Sequence, residues 1–230
     1  MGTGAPTAMN MWQPHMTTNR DVLTLTQWLS PSFPLGSFAY SHGLETAIAN
    51  GTLATATDLQ DWLTDLLAHG SGRNDCILLR AGYDCGDDGL ADVNATALAF
   101  AASSERIQET LLQGAAFCQT TAAIWGDNTL PELALPVAVG MAAARQGIDQ
   151  TLTASMYLQA FCSNLVSASV RAVPLGQTEG QAVLAALSPL CIEIAEDTAN
   201  ATLDDLQSTA FLSDIAAMQH ETLQPRIFRS

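Results

Sequence analysis

Apolar residues recur at intervals of three and four along most of this chain. Val22, Leu25, Trp28 and Leu29 share one face behind Asp21. Leu59, Trp62, Leu63, Leu66 and Leu67 share another behind Thr57 and Asp58. Such spacing marks amphipathic helices that turn one stripe to a core. Thr57-Asp58 reads as an N-cap pair, and Gly70 and Gly72 as the stop. Ile77, Leu78 and Tyr83 begin a third stretch, expected to break at the turn-rich CGDDG of residues 85–89. Ser103 or Ser104 can cap a long helix through Ile107, Leu111, Ala115, Cys118 and Ala122, and Pro136 suits the first turn of one through Val139 and Met141. A helix without charge is expected from about Leu152 to Val173, followed by a break at Pro174 and Gly176. Further helices are expected near 177–187, 189–200 and 205–220. No run of alternating β-branched residues is long enough to predict a strand. The pattern predicts an all-α, single-domain helical bundle of roughly nine or ten helices over residues 21–220. A disordered or loosely held arm is expected at 1–20 and a separate tail at 221–230.

Composition narrows the partners. Charged residues make up 13% of the 230 positions, against about a quarter in ordinary soluble chains. Much of the surface must then be small and polar, or be covered by other proteins. The net charge is −15, and all eight basic residues are arginine. Such a chain repels nucleic acid and anionic membrane surfaces. The uncharged segment from Gln150 to Val170 holds too many Ser, Thr, Gln and Asn residues for a membrane span and reads as a buried bundle helix. The five cysteines are scattered, with no CxxC pair, which fits free thiols in a reducing cytoplasm. No basic start or apolar block near residue 1 reads as a secretory leader.

The stretch SPSFPLGSFAYSHGLE, residues 30–45, brings together Ser37, Ser41, His42 and Glu45. A serine hydrolase needs a sharp strand–helix turn for its nucleophile, and this chain offers neither GxSxG nor strands. The residue types suit a stiff turn instead: Pro31 and Pro34 restrict the loop, Gly36 permits a tight turn, and Ser37 can cap the next helix. Phe38 and Tyr40, two apart, cannot share a helix face. One ring must leave the local core. His42 with Glu45, and His220 with Glu221, are the acid–imidazole pairs, and neither has the spacing of a firm metal site. No GxxxxGK[ST] and no lysine exist to hold a nucleotide.

Two segments carry unusual arginines. In RAVPLGQTEGQ, residues 171–181, Arg171 can bond the last carbonyls of its helix, or form a polar contact edge with Gln177. In HETLQPRIFRS, residues 220–230, Arg226 and Arg229 flank Ile227 and Phe228. Left in water, that tail would waste two large apolar residues; docked, it supplies anchors of the interface kind.

These three segments, together with ERIQETLLQG at 105–114, resemble the UreF family of urease accessory proteins, in matching order over about residues 21–230. The resemblance implies an all-α fold, no catalysis of its own and a cytoplasmic role in nickel insertion into urease. It implies a homodimer that joins a UreD/UreH-type accessory protein, recruits the nickel-carrying GTPase UreG to apo-urease and modulates its GTP hydrolysis. No cofactor is expected to be tightly bound; nickel is handled by the complex. The tail, Arg226, Ile227, Phe228, Arg229 and Ser230, is expected to order on the UreD-type partner. Phe38, Tyr40, His42, Glu45, Arg171 and Gln177 are expected at dimer, GTPase or metal-passage contacts. The alternatives are a direct nickel-binding metallochaperone using His42, Glu45 and His220, and a hydrolase using Ser37 or Ser41.

Overall fold

A computed structural model of the chain describes residues 17–126 and 132–230. Most of the arm expected at 1–20 lies outside them. The described residues form α-helices and short 3-10 turns with no strand. The helices are α1 (Asn19–Trp28), α2 (Leu44–Ala49), α3 (Ala56–His69), α4 (Ser71–Asp84), α5 (Gly86–Ala99), α6 (Ser104–Trp125), α7 (Leu135–Gln146), α8 (Gln150–Ala172), α9 (Gln177–Asp197) and α10 (Phe211–His220). The all-α bundle is as the apolar spacing predicts.

Most starts follow local chemistry. Thr18 and Thr55 each form a capping box, with Asp21 and Asp58 returning the bond. Thr55, rather than Thr57, is therefore the cap of α3. Ser103 caps α6 by accepting from the Arg106 N–H at 3.2 Å, and Pro136 sits in the first turn of α7.

The break expected at CGDDG is present: Cys85 ends α4, Gly86 reverses the chain at φ +62, and Asp87 and Asp88 fill the first turn of α5, where acids suit the helix dipole. Two other expectations fail for physical reasons. Gly72 lies inside α4 rather than ending α3. The two helices expected on either side of Pro189 are one, α9. An interior proline costs about 3 kcal/mol, but Val183, Leu187, Cys191 and Ile194 bury a stripe that runs across it. That burial exceeds the penalty.

The core is built by close approach. In α7 every residue from Pro136 to Ala143 is buried. A Cβ added to Gly140 would lie 1.9 Å from the Leu79 carbonyl oxygen of α4, and one on Gly82 would lie 2.7 Å from that of Val137. Glycine lets these two backbones touch. On the other side α8 packs along α9, as its lack of charge suggested, and also meets α3 and α4. Trp28 closes the bundle end, edge-on to Phe117 and Trp125 with ring centroids 5.5 and 5.6 Å away. This scaffold carries the loop at 30–43, α2, α10 and the tail on one side.

Candidate functional site

The tail folds back across the turn that precedes α2. The Arg229 N–H donates to the Ala39 carbonyl at 2.8 Å, and the Ser41 N–H donates to the Ser230 main-chain oxygen at 2.7 Å. The Ser41 hydroxyl donates to the same oxygen. Phe228 is buried to 4% exposure, worth about 1.5–3 kcal/mol. The Arg171 guanidinium lies 4.9 Å from its ring centroid. Arg171 also donates to the Ser167 carbonyl at 3.1 Å and to the Phe38 carbonyl at 2.8 Å. It is thus a cap of its own helix and a clamp on both the loop and the tail.

Glu45 is the main anchor. Its carboxylate accepts the N–H groups of Ile227 at 2.6 Å and Phe228 at 2.9 Å. One oxygen also lies 3.0 Å from His220 Nε2. His220 is fully buried, and its Nδ1 lies 2.7 Å from a Glu105 oxygen. Both contacts are hydrogen bonds at once only when both ring nitrogens carry hydrogen. Arg226 pairs with the other Glu105 oxygen. Burial pushes the Glu45 carboxyl up, but His220 and the two tail N–H groups outweigh it and hold it below its ordinary value.

The second layer surrounds Glu109, on α6. It accepts from the Ser230 hydroxyl at 2.7 Å and from Gln113 at 3.0 Å, and pairs with Arg106. His42 Nε2 lies 2.7 Å from a Glu109 oxygen and 2.7 Å from an Arg106 nitrogen. Burial pushes Glu109 up, yet Arg106 and His42 bring it down to about 2. Burial first, and Arg106 second, push the His42 imidazole down, so the neutral ring is favoured. Its Nδ1 is buried without a hydrogen-bond partner among the described residues. Beyond it, Tyr157 donates to Asp75 at 2.7 Å, and burial raises the Asp75 carboxyl to about 6.

Backbone geometry divides these roles. His42 (φ +53) and Gly43 (φ +79) are successive left-handed residues. They turn His42 to α6 and Glu45 to α10, so the expected His42–Glu45 and His220–Glu221 pairings are replaced. A Cβ on Gly43 would lie 2.6 Å from the Ala217 nitrogen, so α10 reaches the turn only because this position has no side chain. Ser37 does not cap a helix: it begins a 3-10 turn and donates to Gln113 at 3.3 Å. The side chains of Ser41, His42 and Glu45 each bond elsewhere, not in a hydrolase relay.

Phe38 and Tyr40 do part. Tyr40 is buried at 6% and Phe38 stands out at 67%. Gln177 is exposed at the start of α9. Ile227 is 74% exposed although its N–H is held by Glu45. Among the described residues, no group of three or more His, Cys, Asp or Glu side chains is arranged to hold a metal ion, and no helix is long and apolar enough to cross a membrane.

Sequence reasoning missed Glu105, Arg106 and Glu109 as site residues. A signal existed: behind the Ser103 cap, spacings of three and four put all three close together on the surface of one helix. Nothing local marks Asp75 or Tyr157, which meet across α4 and α8.

Residues 53–188 match the family model described as UreF. The urease accessory protein UreF of Ruegeria pomeroyi is 51% identical over 214 residues, covering 93% of this chain and 98% of the relative. That of Roseobacter denitrificans is 53% identical over 208 residues, covering 90% and 93%. That of Cereibacter sphaeroides is 52% identical over 215 residues, covering 92% and 100%. The family match and these relatives show that the chain belongs to the UreF family of urease accessory proteins.

Proposed function

We propose that this chain is a non-catalytic assembly factor for nickel insertion into urease. It acts in the cytoplasm as a homodimer bound to a UreD/UreH-type accessory protein. The complex recruits the nickel-carrying GTPase UreG to apo-urease and modulates its GTP hydrolysis. Nickel is cargo of the complex, and this chain holds no cofactor tightly.

One observation carries this reading. The tail's main chain is fixed by Glu45, Ser41 and Ala39, while Ile227 faces outward. The tail continues from α10, whose Phe211, Leu212, Ile215 and Met218 are exposed at helical spacing. A protein surface seldom leaves so many large apolar groups together unless a partner covers them. Exposed Phe38, on the loop whose carbonyl Arg171 binds, supplies a further anchor. Rigid presentation lowers the entropy cost of binding.

The test is urease activation in a strain lacking this chain. Wild type restores activity, and a form without residues 220–230 restores none. Full activity of the truncated form contradicts the role of the tail. Failure to capture UreG when the UreD-type partner is present contradicts recruitment.

A further inference from the structure

The five cysteines look unpaired in sequence, but the fold brings two together. Cys162 in the middle of α8 and Cys191 in α9 face each other with Sγ atoms 4.0 Å apart. Both are buried, at 0% and 1% exposure, and both are free thiols. We infer that Cys162 and Cys191 are a modification site, at which a hydroperoxide converts the two thiols into an intramolecular disulfide joining α8 to α9.

The geometry needs one local adjustment. A disulfide sets its sulfurs about 2.05 Å apart, so the two Sγ atoms must approach by about 2 Å. Rotation of the two side chains and a small sliding of the helices supply that. The contact is between thiols within hydrogen-bonding reach, in which either sulfur can donate, and a bond from the Cys162 thiol holds the Cys191 thiol below its ordinary value. The Cys191 sulfur attacks one oxygen of hydrogen peroxide, the O–O bond breaks, and the departing hydroxide takes up the proton released by the Cys191 thiol to leave as water. The resulting sulfenic acid is attacked by the Cys162 sulfur. Its hydroxyl leaves with the Cys162 proton as a second water. Two thiols are oxidised and one peroxide is reduced.

The bond would join two positions 29 apart in sequence, closing a loop that contains the 173–176 connection and Arg171. Arg171 holds both Phe228 and the Phe38 carbonyl. Oxidation therefore locks the platform beneath the docked tail, and the closed loop restricts the unfolded chain.

The test treats the full chain with hydrogen peroxide, then denatures it, alkylates the remaining thiols and maps the peptides. The expected product is one linked peptide pair containing Cys162 and Cys191. The intact mass falls by two hydrogens and Tm rises by several degrees, and both changes reverse with dithiothreitol. Cys162→Ser abolishes the link and the Tm rise. If that variant does not fold, the wild-type peptide map still decides. Recovery of both residues as alkylated thiols overturns the inference, as does a link from either to Cys76, Cys85, Cys118 or a second chain.

Discussion

The contact between α4 and α7 and the seat of the tail are both buried, but they are built on opposite terms. The first uses small apolar residues and bare backbone, with Gly82 and Gly140 allowing the helices to touch. The second uses ionisable groups: Glu45, Glu105, Glu109, Arg106 and His220. Dispersion and burial hold the first in place with little directional demand. In the second, each buried charge is held by named partners, and loss of one strands the others. The difference teaches where rigidity comes from. The glycine contact makes a platform, and the charged seat gives the tail one position on it.

The largest expected effect is on the charged side. Glu45→Ala leaves His220 and the Ile227 and Phe228 N–H groups without their acceptor, costing about 3 kcal/mol. Urea unfolding measures the loss, and hydrogen exchange at residues 227 and 228 should accelerate while exchange in α7 does not. On the apolar side, Gly140→Ala overpacks the helix contact and costs about 1–3 kcal/mol. Its exchange pattern should be the reverse, with α4 and α7 loosened first.

The two carboxylates of the polar layer should respond to pH in opposite directions. Glu109 titrates at about 2 in the folded chain, below the ordinary value of about 4.3. The stability it contributes is complete above about pH 4 and is lost as pH falls toward its folded value. Asp75 titrates at about 6, above its ordinary value of about 3.9. Its contribution is complete below about pH 4 and is lost as pH rises through 6. Urea midpoints between pH 2 and 7 check this: Glu109→Gln makes the acid drop shallower, leaving the part due to Glu45, and Asp75→Asn removes the decline between pH 4 and 6. The smallest effect on folding is expected for Phe38→Ala, below about 0.5 kcal/mol at so exposed a site. The same change should weaken partner binding measurably by calorimetry.

The comparison also explains what the sequence made legible. Helices α1, α3, α6, α7 and α8 are written in local spacing and caps, so their existence can be read directly. The family-like segments and the separate fates of Phe38 and Tyr40 can be read too. The wiring of the seat cannot. His42 meets Arg106 across 64 positions, and Ser41 meets Ser230 across 189. Local spacing instead suggested His42 with Glu45, and two left-handed residues undo that pairing. Pro189 misled for a related reason, because a long buried stripe outweighs a local breaker.

The central claim is that the docked tail presents a partner surface. Ile227 tests it most directly, because its side chain is exposed while its N–H stays bound to Glu45. The measurement is the affinity of purified Ile227→Asp for the UreD-type partner, alongside its urea midpoint. The account predicts an unchanged midpoint and an affinity at least about tenfold weaker, as for a lost interface anchor. Unchanged affinity in a fully folded variant would contradict it.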